Sequence, residues 1–297
     1  MIDITDYIEK IYGDFSLYAN GENYLCELKE LNFQAGAIPD YEAIEIQQLY
    51  LLRYAFAYAF EYSNMYDDIL SKMESNAQIA VTSIGCGAMI DYWSLIKSIQ
   101  EKRLNDIQIV YTGIDEISWN YKFKKRKEDK GCFKKENIVD YMNSQDVFDS
   151  DIYFFPKSIS EFDSDEMAAI CDNLKNKEIM KDKLYFGISL RYDQGSMDRD
   201  MSKTKLIMEA LKDNGFKGKS SYDRYIHFKE DRGIAAYDYE FKYPEAALNY
   251  VKTLNTRCKE FCEMGQNCNP DCKPKLNRQP TLKTGKICYQ VIEFERM

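Results

Sequence analysis

Residues 84–91, read as Ile-Gly-Cys-Gly-Ala-Met-Ile-Asp, follow an apolar, β-like run from Ile79 to Ile84 and lead into a helical pattern. A strand, a glycine turn and a helix together make a cradle for a nucleotide. A phosphate-binding loop of the NTPase kind needs Lys and then Ser or Thr directly after its last glycine, and neither follows Gly87. A dinucleotide fingerprint needs a third glycine where Ile90 stands. A β-branched side chain there argues against an NAD-linked oxidoreductase.

Other groups could also carry chemistry. Ligands of open α/β sheets sit at the carboxyl ends of strands, and one such end reads Phe154 to Phe162, FFPKSISEF. Phe155 could wall a pocket there, and Lys157 and Ser158 could hold a polar or anionic substrate. The alternative is a strand stop followed by a solvated loop. Cys258, Cys262, Cys268 and Cys272 are spaced C-x3-C-x5-C-x3-C. Four thiols so close suit a tetrahedral structural zinc, with free thiols as the other reading. Residues 121–135, YKFKKRKEDKGCFKK, hold eight basic and two acidic side chains. They read as a solvated face, or through 122–135 as a local contact with nucleic acid or an anionic ligand. The single histidine, His227, stands in an alternating stretch and reads as structural.

With phosphate loops and NAD set aside, S-adenosylmethionine (SAM) is the remaining nucleotide. The stretch SIGCGAMID resembles the first motif of class I SAM-dependent methyltransferases, often GCGPGSD, with Gly85, Gly87 and Asp91 in register and Cys86 between the glycines. In that family the turn passes under the methionine end of SAM, and an acid at the end of the second strand holds the ribose hydroxyls. Asp115 in YTGIDEI stands at that place. The resemblance spans roughly 77–229 plus the final strand, which it implies is inserted antiparallel beside the last parallel one. It also implies that the 154–162 loop lies near the transferred methyl. Base-amine methylation of DNA is disfavoured, because Phe155-Pro156-Lys157-Ser158 lacks the Asp or Asn before Pro-Pro of those enzymes.

The elements that must position these residues alternate. Strands are predicted at 79–84, 107–115, near 137–141, at 151–156, 183–191, 222–228 and 287–295. Helices are predicted at about 90–102, 164–177 and 199–213, with Asp163 and Glu166 as a helix-start box. Such alternation gives a mostly parallel sheet covered on both faces. Residues 1–75 read as a helical N-terminal cap, in which Tyr50, Tyr54, Tyr58, Tyr62 and Tyr66 recur every four residues. That row is an aromatic core seam or, in part, the wall of a substrate pocket. Residues 76–297 read as a Rossmann-like SAM-binding domain, interrupted at 230–285 by a Cys-rich insertion with a helix from Pro244 to about Met264.

The bulk numbers exclude several classes. With 49 acidic against 40 basic residues the net charge is -9, which disfavours a surface that coats nucleic acid. The start lacks a secretory pattern, and the apolar run Leu49 to Tyr62 is broken by Arg53 and Glu61, so no membrane span is expected. Nine cysteines without a leader point to thiols or metal ligands in the cytoplasm. The expected function is SAM-dependent methyl transfer to an acceptor, a small molecule before a nucleic acid. A catalytically inactive binding or scaffold protein on the same fold is the alternative.

Overall fold

The structure is a computed structural model. It describes residues 3–20, 25, 28, 31, 40–73, 77–104, 107–237, 241–254, 256, 276 and 278–297. Its elements in chain order are α1 (Ile4–Asn20), α2 (Ile44–Lys72), β1 (Gln78–Ile84), α3 (Ile90–Glu101), β2 (Gln108–Asp115), β3 (Lys130–Lys135), α4 (Ile138–Ser144), β4 (Val147–Phe148), β5 (Ile152–Phe155), α5 (Ser164–Asn176), β6 (Glu178–Ile179), β7 (Lys183–Ser189), α6 (Gln194–Asp213), β8 (Phe216–Gly218), β9 (Ile226–His227), α7 (Glu245–Lys252) and β10 (Cys288–Arg296). The chain packs into two units, one from Met1–Tyr58, Trp119–Tyr121 and Arg232–Thr284, the other from the remaining residues.

The larger unit holds a sheet in the order β3-β2-β1-β5-β7-β10-β8, with β9 paired to β10. From β3 to β7 neighbouring strands run parallel. β10 is antiparallel to both β7 and β8 and enters between them, as expected for a closing strand. The apolar composition explains the order: β1, β5 and β7 are buried almost throughout, as central strands covered on both faces must be. β3, KGCFKK, is an exposed edge, and its lysines protect it from pairing with another chain. Much of the basic run is therefore an edge strand and its approach. In it Arg126 pairs with Asp129 at 2.9 Å and Lys122 lies over the Phe133 ring. A core built on Phe155, Phe186, Ile188, Leu211 and Phe294 fills one side of the sheet. Tyr66 stacks on Phe154 at 4.5 Å and Tyr62 meets its edge.

Three local expectations are corrected. Residues 137–141 are not a strand. Asn137 caps Val139 N at 2.7 Å and opens α4, whose Ile138, Tyr141 and Met142 recur at helical spacing toward the core. α6 begins at Gln194, five residues before the predicted 199, because Asp193 accepts from Ser196 N and caps it there. Within 222–228 only Ile226–His227 forms strand. The box at Asp163 and Glu166 is present at the start of α5.

In the smaller unit, α1 buries Ile4, Tyr7, Ile8, Ile11 and Phe15. Tyr250 of α7 sets its ring edge-on to Tyr12 and Phe15. Tyr41, Tyr50, Tyr54, Tyr58 and Trp119 form a chain of ring contacts. Among the described residues no helix is long and apolar enough to cross a membrane. The four cysteines of the 258–272 motif lie outside the described residues. Among the described ones, no group of three or more His, Cys, Asp or Glu could hold a metal ion.

Candidate functional site

The glycine turn is bent by backbone geometry that favours glycine. Gly85 has φ 70° and Gly87 φ 53°. Gly85 N and Cys86 N both donate to Ile114 O, at 2.8 and 3.0 Å, so the turn is tied to the end of β2. Asp115 finishes that tie. Its Oδ2 accepts from Gly87 N at 2.8 Å and its Oδ1 from Ile117 N at 2.8 Å. The carboxylate that the motif resemblance sets against a ribose thus also fixes the shape of the turn. It is only half-buried and keeps a solvent-facing side.

The other turn residues lie behind this surface. Cys86 is buried, and its Sγ would collide with a side chain at Gly113, so it points into the sheet. Asp91 has no exposed surface. Its two oxygens accept from Tyr111 Oη at 2.9 Å. Burial pushes its carboxyl up to about 6, against the pull of the Ser83 and Tyr111 hydroxyls. Met89, also buried, takes φ 60° to start α3.

The loop after β5 presses on the same turn. A Cβ at Gly85 would lie 2.4 Å from that of Ser158. Ser158 Oγ donates to Ile84 O, locking the two loops together. Phe155 is fully buried in the core, beside Phe162 and Phe186. Lys157, between them, has φ 65°. Its Nζ donates to Leu190 O at 2.5 Å and pairs with Glu61 at 3.1 Å. Glu61 is 1% exposed and also accepts from Ser189 Oγ. Burial raises its pKa, and Lys157 and Ser189 oppose the rise. Among the described residues three non-glycines have positive φ, and two of them, Met89 and Lys157, stand on these two loops. Such backbone strain gathers where a site is held in shape by its surroundings.

Three charged residues of this region were not singled out from sequence. Glu161 follows the Ser158–Ser160 turn, whose carbonyls at Ile159 and Ser160 are held by Lys203 Nζ at 3.0 and 3.2 Å. The residue is exposed. Partial desolvation of its carboxyl and the charge of Asp115 push Glu161 up to about 7, against Arg191 and Lys203. Arg191 itself forks onto buried Asp200, with contacts of 2.7 and 3.2 Å. Glu61 announced itself only by interrupting an apolar run. The charges of Asp115 and Glu161 repel each other, and a cationic ligand near them relieves that cost.

The residues present suit SAM on that ground. Asp115 offers a half-exposed acceptor for hydroxyls, and Asp115 with Glu161 offers negative charge to a sulfonium or ammonium group.

No family model matches the chain, and no curated protein does. Among solved structures, the plantazolicin methyltransferase BpumL in complex with SAH is 11% identical, with 97% of this chain and 100% of that chain covered, at a TM-score of 0.40. A SAM-dependent methyltransferase from Archaeoglobus fulgidus is 17% identical over 73% of this chain and 86% of that one, at 0.37. A cyclopropane-fatty-acyl-phospholipid synthase-like protein from Lactobacillus casei is 12% identical over 80% and 92%, at 0.41. The Rossmann-like character of the sheet rests on the chain's own strand order, with β10 antiparallel between β7 and β8.

Proposed function

We propose that the chain is a SAM-dependent methyltransferase acting on a small-molecule acceptor. The observation that carries this is Asp115, which ends β2, holds Gly87 N and keeps a solvent-facing side at the carboxyl end of the sheet. Gly87 and Asp115 would face the cofactor, with Asp115 accepting from ribose hydroxyls. Gly85, Cys86 and Asp91 would shape the turn from behind. SAM, when bound, supplies a methyl carbon already activated by its sulfonium. The protein then has only to orient the acceptor, exclude water and take a proton where the acceptor carries one. Lys157 and Ser158 would serve as positioning residues, the first anchored by Glu61 and the second by Ile84 O. Phe155 would back the loop from inside the core.

Calorimetry tests the reading. SAM should bind the wild type, and Asp115→Asn should weaken binding by roughly 1.5–3 kcal/mol, the range for hydrogen bonds to a charged group. No SAM binding to the wild type, or undiminished binding to the variant, refutes it.

A further inference from the structure

A cavity of about 270 Å³ opens at the carboxyl end of β7, lined by Tyr192, Asp193, Met197, Tyr225, His227 and Cys288 among others. None of these belongs to the glycine turn or to Asp115. We propose that this cavity is an acceptor subsite for a flat aromatic compound bearing an acidic O–H, with His227 Nδ1 as the proton acceptor. The proposal rests on the methyltransferase reading for its biological meaning, but the binding and the proton transfer stand on the cavity alone.

Size is the first argument. A dry cavity of roughly 150 Å³ is enough to take a benzene ring, so this volume suits one substituted ring or two fused ones. The walls are the second. Tyr192 and Tyr225 leave 50% and 41% of their surface exposed, at the mouth of a hollow. Half-exposed rings flanking a slot are stacking surfaces. The floor is sulfur: Cys288 Sγ lies 3.5 Å from Met197 Sδ, and both residues are buried. Thioethers and thiols are soft and polarisable and pack well against ring edges.

The polar group is the third argument. His227 Nε2 lies 3.1 Å from Gly285 O. A carbonyl only accepts, so Nε2 carries the hydrogen and the neutral ring has its lone pair on Nδ1. Cys288 and His227 are direct partners across β9 and β10, so their side chains share one face of the sheet. The Tyr192 ring, 5.7 Å from the imidazole, flanks it. The ring is therefore oriented from two sides at the cavity wall, and Nδ1 is the nitrogen that the Gly285 contact leaves to accept a proton. The proposed step closes on itself: the acceptor O–H bond breaks, its electron pair stays on oxygen, and the proton forms an N–H bond at Nδ1. The cavity also adjoins the loop after β5, because Leu190 O accepts from Lys157 and Leu190 N donates to Cys288 O at 2.8 Å.

Para-nitrophenol is the probe, since its visible band appears only in the phenolate. At a pH below its own pKa, the wild type should bind it saturably and increase that band. Tyr192→Ala and Tyr225→Ala should each weaken binding about fivefold or more, from the loss of one stacking wall. His227→Gln keeps an N–H for Gly285 O and removes the basic nitrogen, so it should bind the probe without the increase in the band. SAM affinity, measured separately by calorimetry, should be unchanged in all three variants. Absence of saturable binding, tyrosine variants that bind as well as the wild type, or an undiminished band in His227→Gln would overturn the proposal. Failure of SAM to bind the wild type would instead remove the methyltransferase reading and leave the phenol arm to decide the cavity.

Discussion

Lys157 illustrates how a side chain that looks free in sequence is committed in space. Its ammonium pairs with Glu61, a carboxylate with almost no exposed surface, and the pair also holds Leu190 O and Ser189 Oγ. Removing one member of such a pair leaves a buried charge uncompensated, which costs about 3–5 kcal/mol. Lys157→Met alone should therefore destabilise the protein by that amount in chemical denaturation, and Lys157→Met with Glu61→Gln should recover most of it. Equal losses in the single and double variants would show that the two side chains are not coupled. Asp91 gives a second test, because its carboxyl is pushed from 3.8 to about 6 by burial. A carboxylate with a raised folded pKa contributes stability that is fully present below its unfolded pKa. That contribution is lost as pH rises through the folded value. Asp91→Asn lacks this dependence. Wild-type stability relative to the variant should fall by on the order of 3 kcal/mol between about pH 3.5 and 6.5. A constant difference across that range would mean that Asp91 titrates normally. Neither group was legible as structural from sequence alone: Glu61 showed only as a charge in an apolar run, and Asp91 as a motif position.

At the scale of elements, what could be read depended on how local the cause was. β1, β2, β5, β7 and β10 are apolar runs bounded by breakers, and they lie within a residue or two of their expected limits. The start of α5 was legible because Asp163 and Glu166 cap it within one turn. α4 was missed because its seven residues carry too few helical repeats to outweigh the β-branched Ile138 and Val139, and the Asn137 cap decides it. The partnership of the glycine turn with the loop after β5 had no local signal at all, since Gly85 and Ser158 meet only through the pairing of β1 with β5. That contact is testable. Gly85→Ala adds a Cβ 2.4 Å from the Ser158 Cβ at φ 70°. The left-handed backbone alone costs roughly 1–2 kcal/mol, and the overlap adds to it. Adding Ser158→Gly should remove the overlap and recover part of the loss, leaving the backbone cost. A Gly85→Ala protein as stable as the wild type would show that the two loops are not in contact.

For the whole molecule, the charge of -9 and the placement of Asp115 and Glu161 bear on one choice, that between a cationic and a neutral ligand. SAM carries a sulfonium that S-adenosylhomocysteine lacks, and the two are otherwise the same shape. An acidic protein attracts the cation at long range, and the two neighbouring carboxylates attract it at short range. The long-range part is screened when the Debye length shrinks from about 10 Å at 0.1 M salt to about 3 Å at 1 M. The short-range part depends on Glu161, pushed up to about 7 by burial and by Asp115. As pH falls through that value Glu161 takes up a proton and loses its charge, so SAM should bind more weakly at pH 6 than at pH 8. S-adenosylhomocysteine should change much less. Binding of the cation also favours ionised Glu161, so SAM should release protons near pH 7, seen in calorimetry as a heat that varies with the ionisation enthalpy of the buffer. Glu161→Gln should abolish both the proton release and the excess pH dependence of SAM over S-adenosylhomocysteine, while leaving the salt dependence from the rest of the surface. Equal pH dependence for the two ligands, or a heat indifferent to buffer, would place Glu161 away from the sulfonium. Asp115 would then be the only carboxylate of the pair left to meet the cofactor.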